Sequence, residues 1–350
     1  MEQLTGKKRI EWVDILKGIA IISVIIGHRS ADAGLVIPKI LRVWIYSWHI
    51  PLFFFLSGVV FSIDKYNNFK SFLIKKAKTI LIPMVAFSFI RIVFNYVYYY
   101  LILGYQSYNM SKMCKRFLGI ILQLRNSDYA GYLWFLNCLF ITQILLYFII
   151  KLTKNNSKYI LCAVFSSYIL GAVWINCIGV QLPWYLELSL IANVFVSSGY
   201  LMKCHKDKIL PGIHWFVILI AFVVNVVSTY CNYIVVQENV DLVVNQIGNP
   251  VLYLLESLSG IIVIVGLFKN ASNLRLISYI GRNSLVYYCL IDLMAFIPDI
   301  IVYNILHLNY IAIGNAILLV WVGYVIVICV SIYPLNELIR KKGKILLGKF

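Results

Sequence analysis

The sequence predicts an all-α, polytopic membrane protein with about ten transmembrane helices and both termini in the cytoplasm. Three observations predict it. The 350 residues are 61% hydrophobic and only 13% charged, with a mean hydropathy of +0.85, whereas a soluble domain carries about 25% charged residues. The apolar residues gather in runs of the ~20 residues that a helix needs to cross a bilayer. Lysine and arginine are shared very unequally between alternate loops. Too little polar surface remains to coat a water-soluble globule of this length. A soluble enzyme, a disordered chain and an ordinary nucleic-acid binder are therefore excluded, despite a net charge of +17.

Ten candidate spans run near 10–28, 43–62, 79–103, 130–150, 159–177, 182–202, 213–236, 250–268, 283–302 and 311–333. The loops between them are short, so 1–350 reads as a single membrane-embedded domain. The first run carries Asp14 and Lys17 and has no small-residue cleavage site ahead of a soluble chain. It reads as a retained span and not as a signal peptide. Of the 31 basic residues, 22 fall in the N-terminus, the 63–78 loop, three further alternate loops and the C-terminal tail. Seven lie on the opposite side, and Lys17 and Arg91 lie within spans. Basic loops stay cytoplasmic, so both termini are expected inside, which requires an even number of spans. The eight cysteines form no CxxC pair and read as small buried hydrophobes, with no metal site expected.

Ionisable side chains within apolar spans are costly and mark function or helix-packing contacts. In the first span, Lys17 and His28 are 11 residues apart, which places them ~20° apart around a helix and ~16 Å apart along it. Asp14 lies three residues before Lys17 on the same side. One stripe thus carries Asp14, Lys17 and His28, either as catalytic groups or as a structural ion pair with an interfacial histidine. Gly18 and Gly27 allow another helix or a ligand to come close. In the second span His49 precedes Pro51, and Ser57–Gly58 offers a small face for helix contact. Lys75, Lys76 and Lys78 supply three ammonium groups suited to a polyphosphate, or alternatively a topology signal at the lipid headgroups. Glu187 and Glu256 are in-span acids without an obvious partner, while Arg91 and Asp292 would pair or line a cavity.

Five segments in order resemble the acyltransferase 3 family of membrane O-acyltransferases, especially its shorter members related to fucose O-acetylases. They are DILKGIAIISVIIGH at 14–28, WHIPLFFFLSG at 48–58, the basic run before Ile82–Pro83, YLWFL at 132–136 and IGRNSL at 280–285. The resemblance implies transfer of an acyl group, usually acetyl from acetyl-CoA, to a hydroxyl of an extracytoplasmic or lipid-linked glycan. It also implies residence in a bacterial cytoplasmic membrane. The family's basic residue and the histidine eleven positions later correspond to Lys17 and His28, with lysine standing where many members have arginine. The basic residues implied to engage the CoA phosphates are Lys75, Lys76 and Lys78. Many relatives have a late histidine where this chain has Ile291, followed by Asp292.

Together these readings give His28 as a general base, or a transient acyl carrier, near the outer face. Lys17 would hold the pantetheine or phosphate portion, or pair with Asp14. Acyl-CoA, a saccharide acceptor and membrane lipid are the expected partners. The competing class is a ten-span transporter or flippase of a polysaccharide intermediate, whose sign would be an internal repeat that the sequence does not display. A scaffold in a polysaccharide-assembly complex would leave the in-span charges unexplained.

Overall fold

The computed structural model describes residues 10–29, 36–125, 128, 131–306 and 317–349. Among the described residues there is no β-strand, only one antiparallel bridge between Asp241 and Gln246. The helices are α1 (Glu11–Arg29), α2 (Val36–Val59), α3 (Phe69–Lys76), α4 (Ile82–Asn95), α5 (Met110–Leu122), α6 (Trp134–Leu152) and α7 (Ser157–Val173). They continue with α8 (Leu186–Cys204), α9 (Lys206–Gly212), α10 (Trp215–Val236), α11 (Pro250–Phe268), α12 (Arg275–Arg282), α13 (Ser284–Met294), α14 (Phe296–Asp299) and α15 (Ile317–Lys342). Nine helices among the described residues are long and apolar enough to cross a membrane.

The predicted first span also forms a helix, α1, yet it falls outside those nine. Every 18-residue stretch of it holds at least three of Glu11, Asp14, Lys17 and Arg29. Packing explains how an apolar bundle accepts such a helix. Ile15, Leu16, Ala20, Ile21 and Ile25 are wholly buried, and α1 touches α2, α11, α12, α13 and α15. Protein covers most of it, leaving Trp12, Ile19, Ile22 and Ile26 only partly buried. The helix α8 is similarly central, burying 78% of its apolar window against 28% for α10 and α15.

Two reciprocal glycine crossings set these central contacts. A Cβ on Gly18 would land on the Ile277 carbonyl, and one on Gly281 would land on the Asp14 carbonyl, so α1 and α12 meet backbone to backbone. Gly58 meets Val196 and Gly199 meets Phe55 in the same way between α2 and α8. Small residues allow this approach where lipid supplies no hydrophobic drive for helix association. The expected contact roles of Gly18 and Gly58 are thus met. Buried polar groups tie the next pair of helices: Asn225 on α10 accepts from Trp44 Nε1 at 2.8 Å and donates to the Glu256 carbonyl at 2.7 Å.

Several boundaries differ from the sequence reading. The third span does not begin at 79: α3 starts at Phe69, where Asn68 accepts from the Ser71 N–H at 2.8 Å and Ser71 Oγ accepts from the Asn68 N–H at 3.3 Å. A π-helical turn, Ala77–Leu81, joins α3 to α4, so Lys75, Lys76 and Lys78 sit on helix and not on a loop. The last helix runs through Pro334 to Lys342 instead of stopping at 333, and the predicted stretch 311–316 lies outside the described residues. Only Cys138 and Cys289 are buried, while four cysteines are exposed on helix surfaces, because a thiol facing lipid costs as little as one in the core. Replacing Gly58 or Gly281 by alanine is expected to destabilise the bundle by about 1–3 kcal/mol through overpacking. Thermal unfolding in detergent checks this, and an unchanged midpoint would contradict the crossings.

Candidate functional site

Three adjoining cavities run along the bundle from the end where α1 finishes to the end where α1 begins. The largest, about 760 Å³, lies where α1 finishes and contains both His28 and His49. Cations Arg91, Arg116 and Arg125, carboxylates Asp128, Asp241 and Asp292, and the rings of Tyr46, Tyr132, Trp134, Tyr185 and Tyr288 complete most of its wall. A narrower, mainly apolar slot of about 150 Å³ contains Lys17, Ser57, Ser284 and Leu285, and shares Ile50 and Tyr288 with the large cavity. A third cavity, about 280 Å³, opens where α1 begins and shares Leu285 with the slot.

The walls of the large cavity are braced by ion pairs. Arg91 Nη1 lies 2.8 Å from Asp292 Oδ2, and its guanidinium stacks 4.2 Å from the centre of the Tyr132 ring. The expected alternatives for Arg91 and Asp292, pairing or lining a cavity, are thus both met. Lys115 Nζ meets Asp128 Oδ2 at 2.9 Å. That hydrogen bond, helped by the charges of Lys115, Lys112 and Arg116, holds the Asp128 carboxyl below the usual carboxylate range.

A deeper hub joins three loops. Arg125 binds Glu187 and the Val243 carbonyl, donates to Asn245 Oδ1 at 2.9 Å, and lies 4.5 Å from the centre of the Tyr185 ring. Asn245 Nδ2 donates to Glu187 Oε1 at 3.0 Å, and the Leu182 N–H reaches Glu187 Oε2 at 3.3 Å. Both charged side chains are almost completely buried, at 2% and 0% exposure. A buried pair needs such extra partners, since desolvating two ions otherwise outweighs their attraction. The Arg125 Nε remains without a protein partner among the described residues. Leu133 and Tyr185, both on the cavity wall, have φ of +58° and +59°. Non-glycine residues are strained there, and such strain gathers at sites the surrounding fold over-determines.

His49 differs from His28 in its setting. His28 is exposed and His49 is 2% exposed. The His49 Nδ1 lies 2.8 Å from the Ile45 carbonyl, which can only accept, so Nδ1 is the donor. In the neutral ring this fixes Nε2 as the acceptor. Ile50, next in the chain, lines both cavity and slot, so His49 stands at their junction.

The predicted site residues are thus only partly assembled. His28 lines the large cavity and Lys17 lines the slot. Asp14 is half-buried at the α1–α12 crossing, where its carbonyl meets Gly281. The three lysines line none of the three adjoining cavities. Lys75 Nζ lies 5.7 Å from the Tyr66 ring centre, Lys76 Nζ lies 5.3 Å from that of Phe61, and Lys78 borders an apolar groove with Ile74 and Val85. Glu187 finds Arg125, and Glu256 accepts from Asn232 Nδ2 at 3.2 Å. Sequence alone gives neither acid a partner and does not reveal the His49 setting or the Arg125 hub. The only signals were a histidine before Pro51 and a glutamate after a Leu-Pro-Trp-Tyr turn.

Removing one partner of the hub, as in Glu187→Gln or Arg125→Met, is expected to cost about 3–5 kcal/mol, because the remaining charge stays buried and unpaired. The Arg125→Met/Glu187→Leu double variant should lose clearly less than the sum of the two single losses in thermal unfolding. Strict additivity would contradict a coupled pair.

A family model described as an acyltransferase domain matches residues 10–335. Neither a curated protein nor a solved structure matches the chain.

Proposed function

The chain belongs to the acyltransferase 3 family, and from that premise we propose that it moves an acyl group, most simply acetyl, from cytoplasmic acyl-CoA to a hydroxyl of an extracytoplasmic or lipid-linked glycan. In this reading it works in a bacterial cytoplasmic membrane, within one domain whose termini both face the cytoplasm. The observation that carries the reading is the line of adjoining cavities, with Lys17 in the narrow middle and two histidines in the wide end. In this reading donor and acceptor lie on opposite sides of the membrane. An enzyme joining them needs a passage for the pantetheine arm that ends at a proton acceptor.

The reaction divides among these groups. His28 accepts the proton of the acceptor hydroxyl as its oxygen attacks the thioester carbonyl carbon. The carbonyl electrons return as the carbon–sulfur bond breaks, and CoA leaves as its thiolate, which takes back one proton from the imidazolium or water. Lys17, three residues after Asp14, offers its ammonium to the amide carbonyls of the arm within the slot. One hydroxyl carries one proton, so the second imidazole has a separate task. His49 Nε2 accepts a hydrogen bond from a neighbouring hydroxyl of the acceptor and orients it. The aromatic rings and paired charges around both histidines suit a saccharide, whose apolar faces stack and whose hydroxyls bind carboxylates and guanidinium groups.

At equal membrane abundance, His28→Ala is expected to lower the O-acetyl content of the acceptor glycan by at least about 10²-fold. Normal acetylation in that variant would overturn the assignment. His49→Asn keeps a donor for the Ile45 carbonyl but removes the Nε2 acceptor, whereas His49→Gln restores an acceptor near that position. Transfer should fall about tenfold in the asparagine variant and be largely retained in the glutamine variant, as expected for one hydrogen bond. Equal activities in the two would leave His49 only its helix contact. Acetyl-CoA should also protect the purified protein against thermal unfolding; absence of protection would favour a transporter.

A further inference from the structure

We propose that the cavity between the end of α12, the end of α15 and the C-terminal tail is the seat of the phosphate end of acyl-CoA, held by Arg282, Arg340 and Lys349. The inference rests on the acyl-CoA reading above and deepens it by assigning the donor's anionic end to residues other than Lys75, Lys76 and Lys78.

The chemistry of the wall carries the assignment. The cavity of about 280 Å³ is lined by Thr79, Tyr279, Arg282, Asn283, Arg340 and Lys349 together with apolar side chains, and among the described residues no carboxylate lines it. Its three cations come from three separate segments of chain, so folding gathers them at one place. The nearby carboxylate, Glu337, is held by Tyr279 OH at 2.5 Å and Arg340 Nη1 at 3.2 Å. Arg340 thus keeps further donors for a ligand. Arg282 is exposed and spends only its Nε, on the Ser278 carbonyl at 3.3 Å. Guanidinium groups present paired donors that match phosphate oxygens. The first turn of the 11-residue α13 carries no side-chain cap, and Leu285 and Val286 of that turn line the cavity.

Position agrees with charge. Leu285 lines both this cavity and the slot, and Asn283 and Tyr288 are separated by five residues, or ~7.5 Å of helix rise. A phosphate end seated here directs its arm along α13 into the slot with Lys17. The tail is built to complete the cavity. A short 3₁₀ turn, Lys344–Leu347, leads to Gly348 at φ +63°, whose backbone lies against the Lys78 carbonyl and leaves Lys349 on the cavity wall. Lys78 contributes its backbone carbonyl here, while the ammonium groups of Lys75 and Lys76 lie over the Tyr66 and Phe61 rings.

The phosphates recognised would belong either to CoA or to an anionic lipid headgroup. The experiment measures CoA affinity of the full chain in detergent by calorimetry, with phosphate-free pantetheine and phosphatidylglycerol nanodiscs as parallel arms. Arg282→Gln and Arg340→Gln are each expected to weaken CoA about tenfold and to leave pantetheine affinity unchanged. Lys349→Gln, on the tail and remote from the bundle core, should weaken CoA in the same direction without altering the melting temperature. Lys151→Gln, an exposed lysine on the same side, serves as the charge control. Unchanged CoA affinity in all three variants, or a larger loss in Lys75→Gln or Lys76→Gln, would overturn the site while leaving the acyltransferase reading intact. A loss of phosphatidylglycerol retention with unchanged CoA affinity would assign the cavity to lipid and also overturn it. Failure of the unmodified protein to bind CoA at all would instead contradict the proposed function.

Discussion

The backbone-to-backbone crossing of α1 and α12 is the constraint on which the rest depends. Gly18 and Gly281 let the two helices touch where any side chain would hold them apart. That contact fixes the start of α13 directly after α12, and so brings Ser284 and Leu285 into the same slot as Lys17. It also encloses the most charged of the apolar helices in protein. Without it, α1 would have to expose Asp14 and Lys17 to lipid, at a cost of a few kcal/mol for each charge near the bilayer centre.

A second consequence concerns where charge is tolerated. Two of the arginines on the wall of the wide cavity are matched locally, Arg91 with Asp292 and Arg125 with Glu187, and its Asp128 is held by Lys115. Pairing lets the site hold many formal charges inside an apolar bundle without a large net field. At the opposite end the cations around Arg282 face a cavity with no carboxylate in its wall among the described residues. One end therefore favours a mixed, hydroxyl-rich ligand and the other an anion. This asymmetry is what the proposed transfer from a CoA thioester to a saccharide requires.

Much of the fold was legible because bilayer thickness imposes a ruler on the sequence. The span predicted at 250–268 coincides with α11, whose start is marked by Asn249 accepting from the Val251 N–H at 2.9 Å just before Pro250 at the first helical position. The ruler failed where a helix is not apolar throughout. α3 is polar enough to read as a loop, and α5 and α12 are short amphipathic helices hidden in basic connections. The stripe of Lys17 and His28 was readable because both lie on one helix, where spacing alone fixes geometry. Arg125 with Glu187, or Arg282 with Arg340, are joined only by tertiary packing, and no local pattern in the sequence reports such a meeting. The lysines at 75–78 show the converse, since clustering along the chain did not place them on the wall of any of the three adjoining cavities.

The most direct test of the account is a structure of the protein bound to a non-hydrolysable acetyl-CoA analogue. The account predicts continuous ligand density, with phosphates beside Arg282 and Arg340, the arm passing Lys17, and the acyl end emerging between Ile50 and Tyr288 near His49. Density that leaves the slot empty, with the acyl end remote from both histidines, would contradict it.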